Sequence, residues 1–182
     1  MKTKDLSLVA IFTAFIIVLA FVPPINIGLV PIVLQNLGIM LASLLLGMKR
    51  GMLAMIIFFL LVTAGMPFLS GGRGGVIVWS GATAGYLWAW LLMPIAVGLL
   101  MKLFGGNQRF WLNIVILVLG NLVFSYILGA LWLFWQVHMP FIKAVLINLP
   151  FIPGDLIKII LVAILTQRLQ KAFPGLLAIK YR

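Results

Sequence analysis

Cysteine and glutamate are both absent from this 182-residue chain, and its only carboxylate side chains are Asp5 and Asp155. The lack of cysteine excludes disulfides, thiolate nucleophiles and cysteine metal sites. Charged residues make up 8% of the chain and hydrophobic residues 65%. A soluble domain carries about a quarter charged residues, because its surface must be wet. The composition therefore excludes a soluble globular domain and predicts an integral membrane protein.

Positive charge is plentiful, with a formal net charge of +11. The basic residues come singly or in pairs between long apolar stretches, whereas nucleic-acid binding favours a stripe or a block. We therefore expect no nucleic-acid partner, and we interpret these residues as signals of orientation in a lipid bilayer. With two acids, one histidine and no cysteine, we also expect no metal site and no resident cofactor.

Six apolar stretches are long enough to cross a bilayer, which takes about 20 mostly apolar residues in a helix. We predict transmembrane helices at 6–22, 31–48, 51–68, 78–101, 111–135 and 150–170. The first is longer than a secretory signal core and no cleavage pattern follows it, so we expect it to be retained. The predicted fold is an all-α membrane protein of six helices, forming one integral membrane domain over 1–182.

The basic residues divide unequally between the two sides of this topology. One side has both termini and the turns at 48–51 and 102–109, and it holds ten of the thirteen lysines and arginines. These are Lys2, Lys4, Lys49, Arg50, Lys102, Arg109, Arg168, Lys171, Lys180 and Arg182. The positive-inside rule then predicts that both termini are cytoplasmic. The loops at 23–31, 66–75 and 136–150 are expected to face outward.

Asp155 and Lys158 lie inside an otherwise apolar segment, "NLPFIPGDLIKIIL". They are three residues apart, so they project from one face of a helix. If the helix begins near Pro150, Asp155 lies about 7–8 Å below its outer end. An ionisable group in a membrane segment is costly and nearly always faces protein or water. The pair could simply neutralise itself, or it could line a binding pocket open to the outside.

The glycine-rich loop "GMPFLSGGRGG" displays Arg73 on the same predicted side. It lacks the phosphate-loop pattern. Its guanidinium could contact lipid headgroups, or it could hold a carboxylate beside an outward pocket. Tyr86, which follows Gly85, could face a cavity, although aromatic residues here are also typical of an interfacial belt.

Other polar residues lie inside the predicted helices. Gln35 and Asn36 are near the outer end of the second helix, and either one could contact a ligand or merely bond a neighbouring helix. The latter role is the expected one for Asn113, Asn121, Ser125 and Tyr126. In the first helix, Ala10 and Ala14 are four residues apart on one face, a spacing that permits close helix packing.

Four segments resemble, in order and spacing, the BioY family, the biotin-specific S components of energy-coupling-factor (ECF) transporters. These segments are "IVLQNLGIMLASLLLGMKRG", "GMPFLSGGRGG", "GATAGYLWAW" and "FIPGDLIK". The resemblance implies a vitamin-binding bundle in a prokaryotic cell membrane. It would capture biotin from outside and work with an EcfT-like transmembrane coupling protein and two cytoplasmic ATPases, with no enzyme activity of its own.

The resemblance also implies roles for individual residues. Asp155 and Lys158 of "PGDLIK" would contribute to the biotin site, and Ala10 and Ala14 would meet the coupling protein. Some relatives carry arginine after the Gly-Tyr pair, where this chain has Leu87. We hypothesise that Asp155 anchors the ureido ring of biotin, that Lys158 assists it, and that Arg73 acts near the valerate carboxylate.

Two other classes of function remain open at this point. The chain could be a stand-alone, proton-coupled transporter of small molecules, with Asp155 and Lys158 on the proton pathway. A membrane enzyme is disfavoured, because Asp155 is the only deep general base that the chain provides.

Overall fold

The computed structural model describes residues 3–27, 30–104 and 109–174, and most of them are helical. The helices are α1 (Thr3–Ala20), α2 (Gln35–Thr63), α3 (Ala84–Leu103), α4 (Phe110–Leu117), α5 (Phe124–Gln136), α6 (Phe141–Leu146) and α7 (Ile152–Ala172). A π-helical segment, Val118–Val123, joins α4 to α5, and 3₁₀ turns span Val76–Trp79 and Leu149–Phe151. Two short strands, β1 (Ile25–Ile27) and β2 (Val30–Ile32), pair antiparallel. The two ends of the chain and part of the turn predicted at 102–109 lie outside these residues.

Within the described residues, five helical stretches are long and apolar enough to cross a membrane. They are Thr3–Ala20, Gln35–Thr63, Ala84–Leu103, Phe110–Gln136 and Phe141–Ala172. The prediction of a helical protein suited to a lipid bilayer is therefore confirmed. Apolar side chains cover much of its outer surface, as a bilayer requires: Leu103 is 80% exposed and Trp111 is 75% exposed.

The helix α2 contains both the second and the third predicted helix, separated by a break at Gly47. Gly47 has φ 72° and ψ −176°, a conformation that glycine adopts without steric cost. A Cβ added at Gly51 would lie 3.6 Å from the carbonyl oxygen of Ala42. Those two residues would be over 13 Å apart along a straight helix, at about 1.5 Å per residue. The chain therefore turns back at Gly47, and the arms 35–46 and 48–63 lie side by side.

The predicted ends of these two arms are wrong by several residues. The first arm begins at 35 rather than 31, because Pro31 is part of β2, opposite Asn26; proline also biases the preceding residue away from helix. The second arm ends at 63 rather than 68. There the amides of Gly65 and Met66 bond back to the carbonyls of Val62 and Leu61, a glycine-terminated helix stop.

Two other predicted boundaries also need correction. The predicted helix 78–101 begins at Ala84, because a separate 3₁₀ turn occupies Val76–Trp79. The predicted loop 136–150 contains the short helix α6, which follows Pro140. Proline suits the residues that lead into a helix, because no helical N–H is lost there.

The helices pack in a bundle in which α2 is central. It contacts α1, α3 and α7, while α3 contacts α5 and α4 contacts α7. At one end of the bundle, Arg50 in the turn after Gly47 forms a 3.1 Å ion pair with Asp5 near the start of α1. At the opposite end, the start of α2 meets the loop that follows it, since Gln35 Nε2 donates a 2.8 Å hydrogen bond to the carbonyl of Phe68.

Candidate binding site

A cavity opens at the end of the bundle opposite the Asp5–Arg50 pair. Including its open mouth, it encloses about 680 Å³ free of protein atoms. It lies between α2, α3, α5 and α7, beneath β2 and the loop at 69–73. The lining residues are Val30, Pro31, Ile32, Val33, Gln35, Asn36, Leu69, Ser70, Arg73, Thr83, Tyr86, Leu87, Trp90, Asn121, Ser125, Tyr126, Phe151, Asp155 and Lys158. All six residues predicted to bind a ligand are among them.

Asp155 is at the centre of the polar part of this cavity. Lys158 Nζ lies 2.9 Å from its Oδ1, and Asn36 Nδ2 donates to the same oxygen at 3.0 Å. Tyr126 Oη donates to Oδ2 at 2.8 Å. Asp155 lies in the first turn of α7, where the free backbone N–H groups of the helix also stabilise its negative charge.

The ion pair between Asp155 and Lys158 is deeply buried, with 9% of each side chain exposed. Lys158 Nζ donates a second hydrogen bond, at 2.8 Å, to the carbonyl of Val33 just before α2. Charges removed from water are tolerable only when they are paired and hydrogen-bonded in this way. The pair therefore joins α7 to the start of α2 as well as presenting polar atoms to the cavity.

Asn36 keeps one polar atom unused in the described structure. Its Nδ2 is bonded to Asp155, but its Oδ1 is buried without a hydrogen-bond partner. Buried acceptors are nearly always satisfied in folded proteins. An acceptor left open beside a carboxylate, in the wall of a cavity, is suited to a ligand that brings N–H groups.

Arg73 lies at the mouth of the cavity and is exposed. Its Nε donates to the carbonyl of Ser70 and its Nη1 to Thr83 Oγ1, both at 3.3 Å. Gly71 and Gly72 before it have φ values of 81° and 70°, which fold the loop back so that the backbones of Leu69 and Arg73 pair. The glycines thus direct a cation toward the entrance.

Gln35 lines the cavity, but its amide is occupied by the protein. Its Nε2 donates to the carbonyls of Phe68 and Ile16, and its Oε1 accepts from the amide of Ser70 at 3.2 Å. It is fully buried. In this structure Gln35 therefore holds the loop at 68–70 against α2.

Tyr86 is buried in the wall of the cavity, and its Oη donates a 2.7 Å hydrogen bond to Asn148 Oδ1. The next residue, Leu87, also lines the cavity and is 3% exposed. Ala10 and Ala14 lie elsewhere, as exposed residues of α1. They belong to a different surface of the bundle.

The sequence predicts contacts between helices for Tyr126, Asn121 and Ser125, yet all three line the cavity. Asn121 and Ser125 are four residues apart, which was a usable signal of a shared helix face. The π-helical segment Val118–Val123 was not readable from the sequence. Such segments are frequent at functional sites, and here it lies directly before the two residues of α5 that face the cavity.

The sequence profile of the BioY family matches residues 1–175. Biotin transporter BioY of Lactococcus lactis subsp. cremoris is 41% identical over 174 residues, covering 93% of this chain and 92% of that protein. The protein of the same name from Rhizobium etli is 38% identical over 181 residues, covering 96% and 97%.

A solved structure is also similar in both sequence and fold. It is described as the S-component for biotin from an ECF-type ABC transporter, and it shares 40% sequence identity with this chain. The two superpose with a TM-score of 0.88, covering 94% of this chain and 95% of the other.

Proposed function

Because this chain belongs to the BioY family, we propose that it is the biotin-binding S component of an ECF-type transporter. It captures biotin from outside the cell and delivers it inward, as a multi-pass protein of a prokaryotic cell membrane. It is a transporter subunit and not an enzyme. The ATP that drives transport is hydrolysed by partner proteins. The relatives named as biotin transporters match along nearly their whole length, which supports this assignment.

The proposed topology has six membrane crossings, with both termini in the cytoplasm. The turn at Gly47 supports the count, because the two arms of α2 then run in opposite directions and replace one long helix. The ion pair of Asp5 with Arg50 supports the orientation, because it brings the start of α1 and the basic turn to the same end. Basic residues are enriched on cytoplasmic loops. The cavity would then open to the outside.

The observation that carries the proposed ligand is the pairing of Asp155 with the open acceptor of Asn36. Biotin has a ureido ring with two N–H donors and one carbonyl. Asp155 Oδ2 and Asn36 Oδ1 provide acceptors for these donors, and Lys158 is the nearby cation for the carbonyl. Buried, charge-assisted hydrogen bonds of this kind are strong and discriminate against ligands that lack the group.

The other end of biotin carries a carboxylate, for which Arg73 is the proposed partner. Among the described lining residues, Arg73 is the basic residue that lies at the mouth of the cavity. The lining also includes the apolar or aromatic side chains of Leu87, Trp90 and Tyr86, which suit the thioether ring and the aliphatic chain. Gln35 and Asn36 complete the proposed set of biotin-binding residues. Asn36 provides the open acceptor, and Gln35 holds the loop that carries Arg73.

Calorimetric titration of the purified protein with biotin tests this assignment. Loss of a hydrogen bond to a charged group costs about 1.5–3 kcal/mol, so Asp155→Asn should weaken binding roughly 10- to 100-fold. The matched control is Asp5→Asn, which removes the other acid at the far end of the bundle and should leave the affinity unchanged. Undiminished binding by Asp155→Asn would refute the ureido assignment.

The proposed partners are an EcfT-like transmembrane coupling protein and two cytoplasmic ATPases. Ala10 and Ala14 support a docking surface on α1, because both are small and exposed and small residues permit close helix approach. Replacing both with leucine should abolish ATP-driven uptake of labelled biotin in cells that express the partners, while biotin affinity is retained. Ala64→Leu, at an exposed alanine directly after α2, is the control; full uptake by the Ala10/Ala14 variant would exclude this surface.

A stand-alone, proton-coupled transporter is the alternative function. The buried contacts of Asp155 with Lys158 and Tyr126 are its structural support, because chains of ionisable groups relay protons in transporters. Uptake by the purified protein alone in liposomes, driven by a pH gradient, distinguishes the two. An S component requires its partners for ATP-driven uptake.

A further inference from the structure

Tyr86 lines the cavity, but its hydroxyl is bonded to a residue outside the described lining. Its Oη donates to Asn148 Oδ1 at 2.7 Å, and Asn148, which is 3% exposed, is not among the described lining residues. We propose that Asn148 is a positioning residue for biotin binding. It keeps the Tyr86 hydroxyl outside the cavity, so that only the apolar ring faces the ligand. This inference rests on the proposed function.

The orientation of the Asn148 amide is set by the helix α6. Its Nδ2 donates to the carbonyls of Ala144 at 3.0 Å and Val145 at 3.3 Å. These carbonyls lie near the end of α6, where helix carbonyls lack intrahelical partners. With the nitrogen committed to α6, the oxygen is left to accept from Tyr86. Asn148 therefore links the short outer helix to the cavity wall.

The Tyr86 ring is also held in place from the side of α5. A Cβ added at Gly129 would overlap the ring, and one added at Gly85 would overlap Trp132. The missing side chain of Gly129 lets the ring of Tyr86 lie directly against the backbone of α5, and that of Gly85 lets Trp132 pack against the backbone of α3. Because the ring is enclosed, its Oη lies against Asn148, whose amide oxygen supplies the acceptor for the hydroxyl proton.

This arrangement has a chemical consequence for the ligand. The thioether ring and the aliphatic chain of biotin offer no donor or acceptor to a phenol. A hydroxyl buried against them without a hydrogen bond would cost free energy. By binding the hydroxyl, Asn148 makes the wall formed by Tyr86 apolar, and it thereby favours the apolar middle of biotin.

A double-variant comparison tests this role on the purified full-length protein. Asn148→Leu should weaken biotin binding about 10-fold, because the Tyr86 hydroxyl loses its partner. Adding Tyr86→Phe should restore the affinity to within about threefold of wild type, since replacing both partners of a buried hydrogen bond by apolar groups is nearly neutral. Asn113→Leu is the control: it replaces a second buried asparagine, which is outside the described cavity lining, and should change the affinity less than about twofold.

The recovery in the double variant separates positioning from a structural role. If Asn148 only supported the fold, removing the Tyr86 hydroxyl would not restore binding. The inference is overturned if Asn148→Leu binds like wild type, or if the double variant binds as weakly as Asn148→Leu. If the leucine variant does not fold, as judged by its melting transition, Asn148→Ala replaces it with the same two outcomes. Failure of the wild-type protein to bind biotin would instead refute the proposed function.

Discussion

Replacing Lys158 with methionine provides a direct test of how the buried ion pair is used. Lys158 Nζ is 2.9 Å from Asp155 Oδ1 and 2.8 Å from the carbonyl of Val33, and both side chains of the pair are 9% exposed. Methionine has a similar length and no charge. The substitution therefore leaves a buried carboxylate whose remaining side-chain donors are Asn36 and Tyr126.

The expected loss of stability can be estimated from this geometry. Removing one partner of a buried pair costs about 3–5 kcal/mol, and the two remaining donors favour the lower value. For a chain of this size, about 3 kcal/mol corresponds to a melting temperature lower by about 6–12 °C. The double variant Asp155→Asn/Lys158→Met removes both charges of this pair, so it should recover most of that loss.

Melting in detergent and biotin affinity should respond differently in these variants. The single variant loses both stability and affinity, whereas the double variant regains stability but still binds biotin at least 10-fold more weakly, because the charged acceptor is gone. Lys143→Met, at an exposed lysine of α6, controls for the loss of one positive charge. The reasoning is refuted if the double variant melts as low as the single one, or if it binds biotin like wild type.

Two further predictions concern the entrance of the cavity. Arg73→Gln should weaken biotin binding about 10-fold but leave the affinity for biotin amide unchanged, because the amide lacks the carboxylate that the guanidinium would hold; equal losses for both ligands would exclude that contact. Gln35→Leu leaves the carbonyl of Phe68 and the amide of Ser70 without their partner, so it should lower the melting temperature by several degrees, whereas Gln136→Leu, at an exposed glutamine, should not. A Gln35 variant that melts like wild type would contradict its role in holding the loop.

The location of the polar cavity was predictable because ionisable residues are so rare in this chain. A carboxylate and a lysine one helical turn apart in an apolar segment face protein or water wherever that segment packs. The glycines around Arg73 likewise indicated a loop that brings a cation close to other groups. These are local properties, and the structure brings Asp155, Lys158 and Arg73 to one cavity.

The predicted ends of the helices were wrong where a single backbone conformation or a contact between distant residues determines the structure. The fold-back at Gly47 is produced by one backbone conformation, and the strand pairing of Pro31 with Asn26 depends on residues that meet across a turn. Hydropathy averages over such features, so it predicted long apolar helices but not the residues at which they end. The π-helical segment before Ser125 changes which side chains of the helix face the cavity, and no residue pattern in the sequence predicts such a segment.

Composition alone determined that this protein belongs in a lipid bilayer, and helical spacing alone determined that Asp155 and Lys158 act as a pair. Only the tertiary structure decided what completes the site. Asn36 is 119 residues from Asp155 in sequence, and Asn148 is 62 residues from Tyr86. Hydrogen bonds between side chains act over about 3 Å, so such partners become known only when the helices that carry them are packed together.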